Sequence, residues 1–255
     1  MTQWIRYAES GVPGFGRLEG TQISVYSGDM FGSPQPTGRN LGLDAVVVLT
    51  PTVAGKMIAL WNNFRALAAK LGNPVPTEPL YFMKGNNSYL ATGQTIRMPN
   101  SYSGKVVFEG ELGIVIGKTC RAVSEQEAQR NIFGYTCIND VTAADILNRD
   151  STFAQWTRAK SFDTFGVFGP VIATDVDPMQ LSIRTVLNDQ ERQNFPVSDM
   201  VFPPAMLVSL ISQDMTLDPG DIIACGTSIG VESMKPGSTV AVSIDGIGTL
   251  TNRFE

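Results

Sequence analysis

Two glutamates stand two positions apart in the otherwise apolar run VVFEGELGIVI, residues 106–116. Residues two apart in a β-strand point to the same face, so the carboxylates of Glu109 and Glu111 would lie side by side. Adjacent negative charges repel each other unless a cation lies between them, and a divalent ion held by carboxylate oxygens meets that need. The alternative is a pair of acids on the solvated face of an edge strand.

A third carboxylate follows in the run INDVTAAD, residues 138–145. Asp140 lies where a strand is expected to end and a helix to begin, and the ends of strands often carry functional side chains. The more ordinary use of Asn139-Asp140 is a turn or a helix N-cap. A ligand set made only of carboxylate oxygens favours Mg²⁺, Mn²⁺ or Ca²⁺ over zinc or copper.

None of the 255 residues is a histidine. This excludes a Ser-His-Asp triad, a Cys-His pair, an imidazole metal ligand and a histidine general base. Catalysis would therefore depend on carboxylates, lysine, hydroxyls, thiols or a hard metal ion. The glycines at positions 113–119 and 11–16 have neither the spacing nor the context of a phosphate loop or a dinucleotide motif.

The charge and composition exclude further classes of protein. The 24 acidic residues exceed the 19 basic ones, and the net charge of -5 argues against affinity for nucleic-acid phosphates. Cys120, Cys137 and Cys225 form no Cys-x-x-Cys motif, which favours a reducing compartment. The first twenty residues do not have the pattern of a signal peptide, and no run of eighteen apolar residues occurs. We expect a cytoplasmic protein that does not bind membranes.

The chain has enough apolar residues for one large domain with a small addition. Residues 3–26 alternate short β-like runs with turn residues, and residues 27–42 are rich in Gly, Pro and Ser and are interpreted as a loop or linker. The expected division is a small N-terminal β subdomain with its linker at 1–50 and the main domain at 51–255.

Three segments have helical patterns. Between Thr52 and Leu71, apolar residues recur at spacings of three and four, and Gly72 follows as a stop signal. A Ser-x-x-Glu capping box predicts a helix from Ser124 to about residue 133, and Pro203-Pro204 predicts the start of another. The remaining chain is rich in strand and turn patterns, so the expected fold class is α+β, dominated by β structure and with few helices.

Five blocks occur in order along the chain: FEGELGIVIGK, GYTCINDVTAAD, AKSFDTFGVFGP, DMTLDPGDIIACGTSIG and GIGTLTN. Together they resemble the fumarylacetoacetate hydrolase superfamily over roughly residues 80–254, in particular its isomerase/decarboxylase and acylpyruvase branch. The resemblance implies a mixed β-sheet roll, a homodimer, and a divalent metal, Mg²⁺ or Mn²⁺, held by Glu109, Glu111 and Asp140.

The resemblance also implies roles for three other residues. Lys160, in the AKSFDTF block, and Thr227, in the CGTSIG block, would contact the substrate and support the metal site, and Lys84 matches a family lysine ahead of the metal pair. Members act on 2-oxo acids that chelate the metal, some of them in aromatic catabolism, and a nearby ammonium stabilises the enolate that forms. Without the motif, either lysine would be interpreted as a solvated surface charge.

The sequence departs from the family pattern on the helix ahead of the metal strand. Family hydrolases carry a His-Glu dyad there that activates water, and this chain has Leu67 and Lys70 at those positions. Leu67 also fits the apolar stripe of the helix. Lys70 could replace the base if burial or a neighbouring cation lowered its pKa. In the block after Asp140, Ala144 and Leu147 stand where many members have an Arg and a Gln.

Loss of the dyad favours reactions that need only an electron sink and a proton relay. The leading hypothesis is a metal-dependent enzyme acting on a 2-oxo or 2-hydroxydienoate (di)carboxylate through a metal-chelated enolate, as isomerase, tautomerase, decarboxylase or C–C hydrolase. The alternatives are a catalytically silent relative that binds metal or ligand, and an assembly scaffold. The segments 73–100 and 186–200 are expected to select the substrate's tail.

Overall fold

The computed structural model describes Met1–Glu255 and contains four α-helices and twenty β-strands. The strands are β1 (Thr2–Glu9), β2 (Val12–Glu19), β3 (Gln22–Ser27), β4 (Gln35–Gly42), β5 (Val47–Val48), β6 (Met57–Trp61), β7 (Leu80–Lys84), β8 (Tyr89–Leu90), β9 (Thr95–Ile96), β10 (Val106–Val107), β11 (Gly110–Ile116), β12 (Ile132–Asp140), β13 (Thr142–Ala143), β14 (Gly166–Thr174), β15 (Ser182–Leu187), β16 (Gln190–Pro196), β17 (Ile222–Ala224), β18 (Ser233–Met234), β19 (Thr239–Ile244) and β20 (Gly248–Phe254). The α-helices are α1 (Arg65–Leu71), α2 (Glu125–Asn131), α3 (Trp156–Lys160) and α4 (Pro204–Asp214). Short 3-10 helices cover Leu43–Ala45, Asn86–Ser88, Ala144–Ile146, Pro178–Gln180 and Val197–Asp199.

The strands form three sheets. The large mixed sheet has the order β4-β3-β2-β1-β14-β12-β11-β17-β6-β7, with β5 beside β1 and β8 beside β14. A five-stranded sheet, β16-β15-β19-β20-β9, packs against β11, β12 and β14 of the large sheet. A small sheet, β13-β10-β18, completes the fold. The α+β class predicted from the sequence is confirmed.

The large sheet is strongly curved. Four strand spacings separate β12 from β7 in the sheet order, which would be about 19 Å in a flat sheet. Nevertheless Lys84, the last residue of β7, forms an ion pair with Asp140, the last residue of β12. The sheet must therefore curl until its β7 edge approaches its middle, as a β-sheet roll requires.

The first three strands confirm the β-like runs predicted for residues 3–26. They continue the large sheet, because β1 pairs antiparallel with β14. The interpretation of residues 27–42 as a loop was wrong for the second half, since Gln35–Gly42 forms β4, the edge strand beside β3. The Pro and Gly residues of that segment are tolerated there because an edge strand leaves one row of backbone groups unpaired.

The helix predicted within residues 52–71 was wrong in its first half. Met57–Trp61 forms β6, which pairs parallel with β17 and antiparallel with β7. Residues Met57 to Leu60 are all buried, and a short continuous apolar run cannot be distinguished from a helical stripe by spacing alone. Only Arg65–Leu71 is helical, and Gly72 ends it in the left-handed conformation as predicted.

The two other predicted helices are confirmed. The capping box of Ser124 and Glu127 is present at the start of α2, which ends at Asn131, two residues before the predicted limit of 133. Pro204 begins α4. None of the helices has the length and apolarity needed to cross a membrane.

Candidate metal and substrate site

The three predicted metal ligands come together at one end of two paired strands. Glu109 immediately precedes β11, Glu111 is its second residue, and Asp140 ends the antiparallel neighbour β12. One oxygen from each carboxylate lies within 4.8 Å of the other two. Glu111 and Asp140 are fully buried, whereas the Glu109 side chain is 14% exposed and is the one carboxylate of the three that meets solvent.

Two buried lysines share the same carboxylates. Lys160, at the end of α3, donates to Glu109 Oε2 at 2.8 Å and to Asp140 Oδ2 at 2.5 Å. Lys84 donates to the other oxygen of Asp140. With all five groups ionised, the cluster carries one net negative charge inside the protein.

Glu111 is the least satisfied member of the cluster. Its Oε2 accepts the backbone N–H of Gly226 at 2.8 Å, but its Oε1 is buried without a hydrogen-bond partner. Glu109 differs, because Thr142 Oγ1 donates to its Oε1 at 3.0 Å and Lys160 binds the other oxygen. A buried carboxylate oxygen without a donor is costly, so Glu111 Oε1 is the atom most in need of a cation.

The surroundings raise the pKa of two of the three carboxyl groups and lower that of the third. Burial, reinforced by the Asp140 charge, raises the pKa of Glu111 well above its usual value. Burial also raises the pKa of Glu109, against the opposing effect of the Lys160 ammonium. Burial acts likewise on Asp140, but Lys160 and Lys84 together outweigh it and lower its pKa.

The pKa values of the two lysines are also shifted in opposite directions. Burial opposes a charge on Lys160, yet the surrounding carboxylates, Asp140 first, raise its pKa above the usual value. For Lys84, burial prevails over the attraction of Asp140 and lowers the pKa. Lys160 is therefore the firmly protonated donor of the site.

Thr227 lies against the backbone that joins the two glutamates. Its Oγ1 donates to the Gly110 carbonyl at 2.9 Å and accepts from Gln193 Nε2 at 2.9 Å. The structure thus brings Thr227 to the site predicted for it, bound to the metal-ligand segment. Contact of Thr227, Lys84 or Lys160 with a substrate stays a prediction.

The family model described as "Fumarylacetoacetate (FAA) hydrolase C-terminal" matches residues 56–255. The chain belongs to the fumarylacetoacetate hydrolase family. A second model, "Rv2993c-like, N-terminal", matches residues 2–51.

Curated relatives within the family include a tautomerase and an isomerase/decarboxylase. Protein Rv2993c of Mycobacterium tuberculosis is 43% identical over 225 residues, covering 87% of this chain and 83% of the relative. The oxaloacetate tautomerase YisK of Bacillus subtilis is 33% identical over 216 residues, covering 80% and 71%. The 4-hydroxyphenylacetate degradation bifunctional isomerase/decarboxylase of Salmonella dublin is 38% identical over 206 residues, covering 80% of this chain and 47% of the relative.

Solved structures of the family superpose closely. The 2-hydroxyhepta-2,4-diene-1,7-dioate isomerase of Mycobacterium marinum has a TM-score of 0.91 at 39% identity, covering 100% of this chain and 98% of that one. The fumarylpyruvate hydrolase of Pseudomonas aeruginosa, in complex with Mn²⁺ and pyruvate, has a TM-score of 0.73 at 27% identity, covering 79% and 89%.

The resemblance places the family's dyad positions, occupied by Leu67 and Lys70, on α1. The Lys70 side chain is exposed in the last turn of α1 and has no hydrogen-bond or ion-pair partner, so the burial on which its role as a base would depend is missing. Leu67 packs against the hydrophobic core, as its place in the apolar stripe predicts.

Sequence reasoning missed two groups at this site. Thr142 supports Glu109 and lies two residues after Asp140, so its place in the same motif was an available signal. The N–H of Gly226 reaches Glu111 because Gly226 adopts a φ of 90°, a conformation that favours glycine. The position of Gly226 in the CGTSIG block was the only signal in the sequence for this contact.

Proposed function

We propose that this protein is a divalent-metal-dependent enzyme that stabilises the enolate of a 2-oxo or 2-hydroxydienoate dicarboxylate. Isomerisation, tautomerisation or decarboxylation is the reaction that the site supports best. The observation that carries the proposal is the buried, oxygen-only cluster of Glu109, Glu111 and Asp140, with the protonated Lys160 beside it.

The residues fit a hard divalent ion. All three candidate ligands are carboxylates, and Glu111 Oε1 is buried without a partner. Oxygen donors favour Mg²⁺, Mn²⁺ or Ca²⁺, and the fumarylpyruvate hydrolase relative is described in complex with Mn²⁺. With such an ion bound, the formal charge of the cluster changes from one negative to one positive, which favours an anionic ligand.

The side chains around the cluster have distinct tasks. A bound divalent ion would act as a Lewis acid that polarises a substrate carbonyl. The Lys160 ammonium can donate a hydrogen bond to an oxygen on which negative charge develops, and its burial makes that interaction stronger than it would be in water. Lys84 compensates the charge of Asp140 and keeps that carboxylate ionised.

The lack of histidine favours proton transfer and decarboxylation over hydrolysis. A general base that activates water contributes roughly 10²- to 10⁴-fold to a rate, and this chain has no histidine to supply it. Moving a proton on the carbon next to the keto group, or releasing CO₂ from a carboxylate β to that keto group, mainly requires that the enolate be stabilised. The tautomerase and the isomerase/decarboxylase among the relatives are consistent with this choice.

The test compares metal-free protein with protein reconstituted with Mg²⁺ or Mn²⁺. The substrates are oxaloacetate and 2-hydroxyhepta-2,4-diene-1,7-dioate, followed by ultraviolet absorbance of the enol and by release of CO₂. We expect turnover of at least one of them, dependent on the metal. Asp221→Asn, which alters a buried carboxylate outside the cluster, is the matched control and should keep this activity.

Two results would contradict the proposal. Turnover that survives thorough chelation would exclude a metal-dependent reaction. Binding of both compounds and of oxalate to the metal-loaded protein, without turnover of any 2-oxo acid, would favour a catalytically silent relative. The specific observation behind this second function is the exposure of Lys70 and the packing of Leu67 at the positions of the family dyad.

A further inference from the structure

On the side away from β12, the backbone of Gly110, the residue between the two glutamates, is bound by side chains and not by a strand. β17 pairs with β11 only at Gly113–Val115, so Gly110 lies beyond the end of that pairing. Its N–H donates to Gln193 Oε1 at 3.0 Å, and its carbonyl accepts from Thr227 Oγ1 at 2.9 Å. The position of Gly110 thus depends on β12, whose Asn139 lies opposite it, on one side and on these two side chains on the other.

Gln193 uses both ends of its amide in this contact. The residue lies on β16, in the five-stranded sheet, and is 1% exposed. Its Oε1 also accepts from Thr185 Oγ1 at 2.9 Å, and its Nε2 donates to Thr227 Oγ1 at 2.9 Å and to the Ser228 carbonyl at 3.2 Å. A primary amide combines an acceptor with two lone pairs and two donors, whereas a carboxylate offers no donor and an aliphatic side chain offers neither.

The approach of the two sheets is very close at this point. A Cβ atom at position 110 would lie 2.1 Å from Thr185 Oγ1 and 3.0 Å from Gln193 Oε1. Glycine is therefore needed at 110, and the five-stranded sheet bears directly on the backbone between the carboxylates. A change in β15 or β16 would therefore displace the backbone that carries both glutamates.

We infer that Gln193 is a positioning residue that fixes Glu109 and Glu111 for metal binding by holding Gly110 and Thr227 together. The inference rests on the proposed metal-dependent function. It gives the segment 186–200, expected to select the substrate's tail, a role in supporting the metal ligands. Residues that orient metal ligands typically change metal affinity by 10- to 100-fold when they are replaced.

The experiment measures the dissociation constant of Mn²⁺ by isothermal titration calorimetry without substrate, together with the thermal midpoint of the metal-free protein. For Gln193→Leu we expect a dissociation constant about 10-fold higher than that of the wild type. The matched control is Asn252→Leu, because Asn252 is a buried amide of the same sheet that donates to the carbonyls of Ala91 and Gln94, both at 2.8 Å. It should lower the thermal midpoint without changing Mn²⁺ affinity.

A second variant covers the case in which Gln193→Leu does not fold. Thr185→Val keeps the shape of the side chain and removes its hydrogen bond to Gln193, so it should weaken Mn²⁺ binding in the same direction by a smaller factor. Unchanged Mn²⁺ affinity in folded Gln193→Leu, or in Thr185→Val where the former is unfolded, would overturn the inference.

The failure of this inference can be distinguished from the failure of the proposed function. If wild-type protein binds no Mn²⁺, or if Glu111→Gln binds it as tightly as the wild type, the metal site itself is refuted. If Glu111→Gln abolishes binding while Gln193→Leu leaves it unchanged, only the role of Gln193 is refuted.

Discussion

Buried carboxylates occur in two regions of this protein, and their surroundings differ. Asp221, which precedes β17, is 1% exposed, and both of its oxygens are satisfied. Its Oδ1 accepts from the backbone N–H of Lys56 at 3.1 Å, its Oδ2 accepts from the N–H of Asp218 at 2.8 Å, and the Lys56 ammonium completes the pair. Glu111 is equally buried, but one of its oxygens has no partner.

The difference separates a structural acid from a candidate functional one. Asp221 ties a turn to a strand, and its burial is compensated by groups of the protein itself. The cluster around Glu111 contains three carboxylates and only two ammonium groups, so its compensation is incomplete. Burying an unsatisfied charge costs stability, and such sites persist where a ligand completes them.

The largest effect is expected for Glu111→Gln. Replacing this carboxylate removes a metal ligand, so Mn²⁺ affinity should fall by more than the roughly 100-fold that loss of a supporting residue causes. The same variant should stabilise the metal-free protein by about 1 kcal/mol, because a buried charge becomes a neutral amide that still accepts from Gly226. Calorimetric titration and urea unfolding measure the two effects. A metal-free protein that is less stable than the wild type would show that Glu111 is as well satisfied as Asp221.

Lys160→Met should separate metal binding from catalysis. Removal of one donor to a developing oxyanion costs about 10²- to 10³-fold in turnover, and we expect a loss of that size. Mn²⁺ affinity should not fall, since a cation beside Glu109 and Asp140 is removed. Steady-state rates and calorimetry on the same preparation test this. Parallel losses of affinity and turnover would instead mean that Lys160 holds the carboxylates in place.

Asp221→Asn is the opposite case, with an effect on stability alone. The amide leaves one hydrogen bond badly matched and the Lys56 ammonium without its buried partner, so unfolding should require about 2–3 kcal/mol less. Mn²⁺ affinity and turnover should remain those of the wild type. Urea denaturation measures the loss of stability, and metal titration measures the Mn²⁺ affinity. A reduced Mn²⁺ affinity would mean that the region around Asp221 is coupled to the carboxylate cluster.

The smallest effect is expected at Lys70. Exposed substitutions usually change free energies by less than about 0.5 kcal/mol, so turnover of Lys70→Met should stay within about twofold of the wild type. A turnover assay of the metal-loaded variant is sufficient. A loss comparable to that of Lys160→Met would show that α1 moves Lys70 to the substrate, and would restore the hypothesis that this lysine is a base.

The carboxylate cluster could be predicted from sequence because its members belong to local patterns. Glu109 and Glu111 share a strand face by the two-residue repeat, and Asp140 ends the strand that pairs with theirs. The boundaries of β4 and β6 could not be predicted in this way. A polar edge strand has the composition of a loop, and a buried parallel strand has apolar spacings that match a helix.

The sequence by itself determined the ligand chemistry, since the chain has no histidine and the residues at these spacings are carboxylates, which offer oxygen ligands to a metal. Only the tertiary structure decided how those ligands are held. The curl of the large sheet brings Lys84 to Asp140, and the five-stranded sheet brings Gln193 to Gly110 across 83 residues of chain. Such contacts depend on how sheets curve and pack, and no local periodicity encodes that.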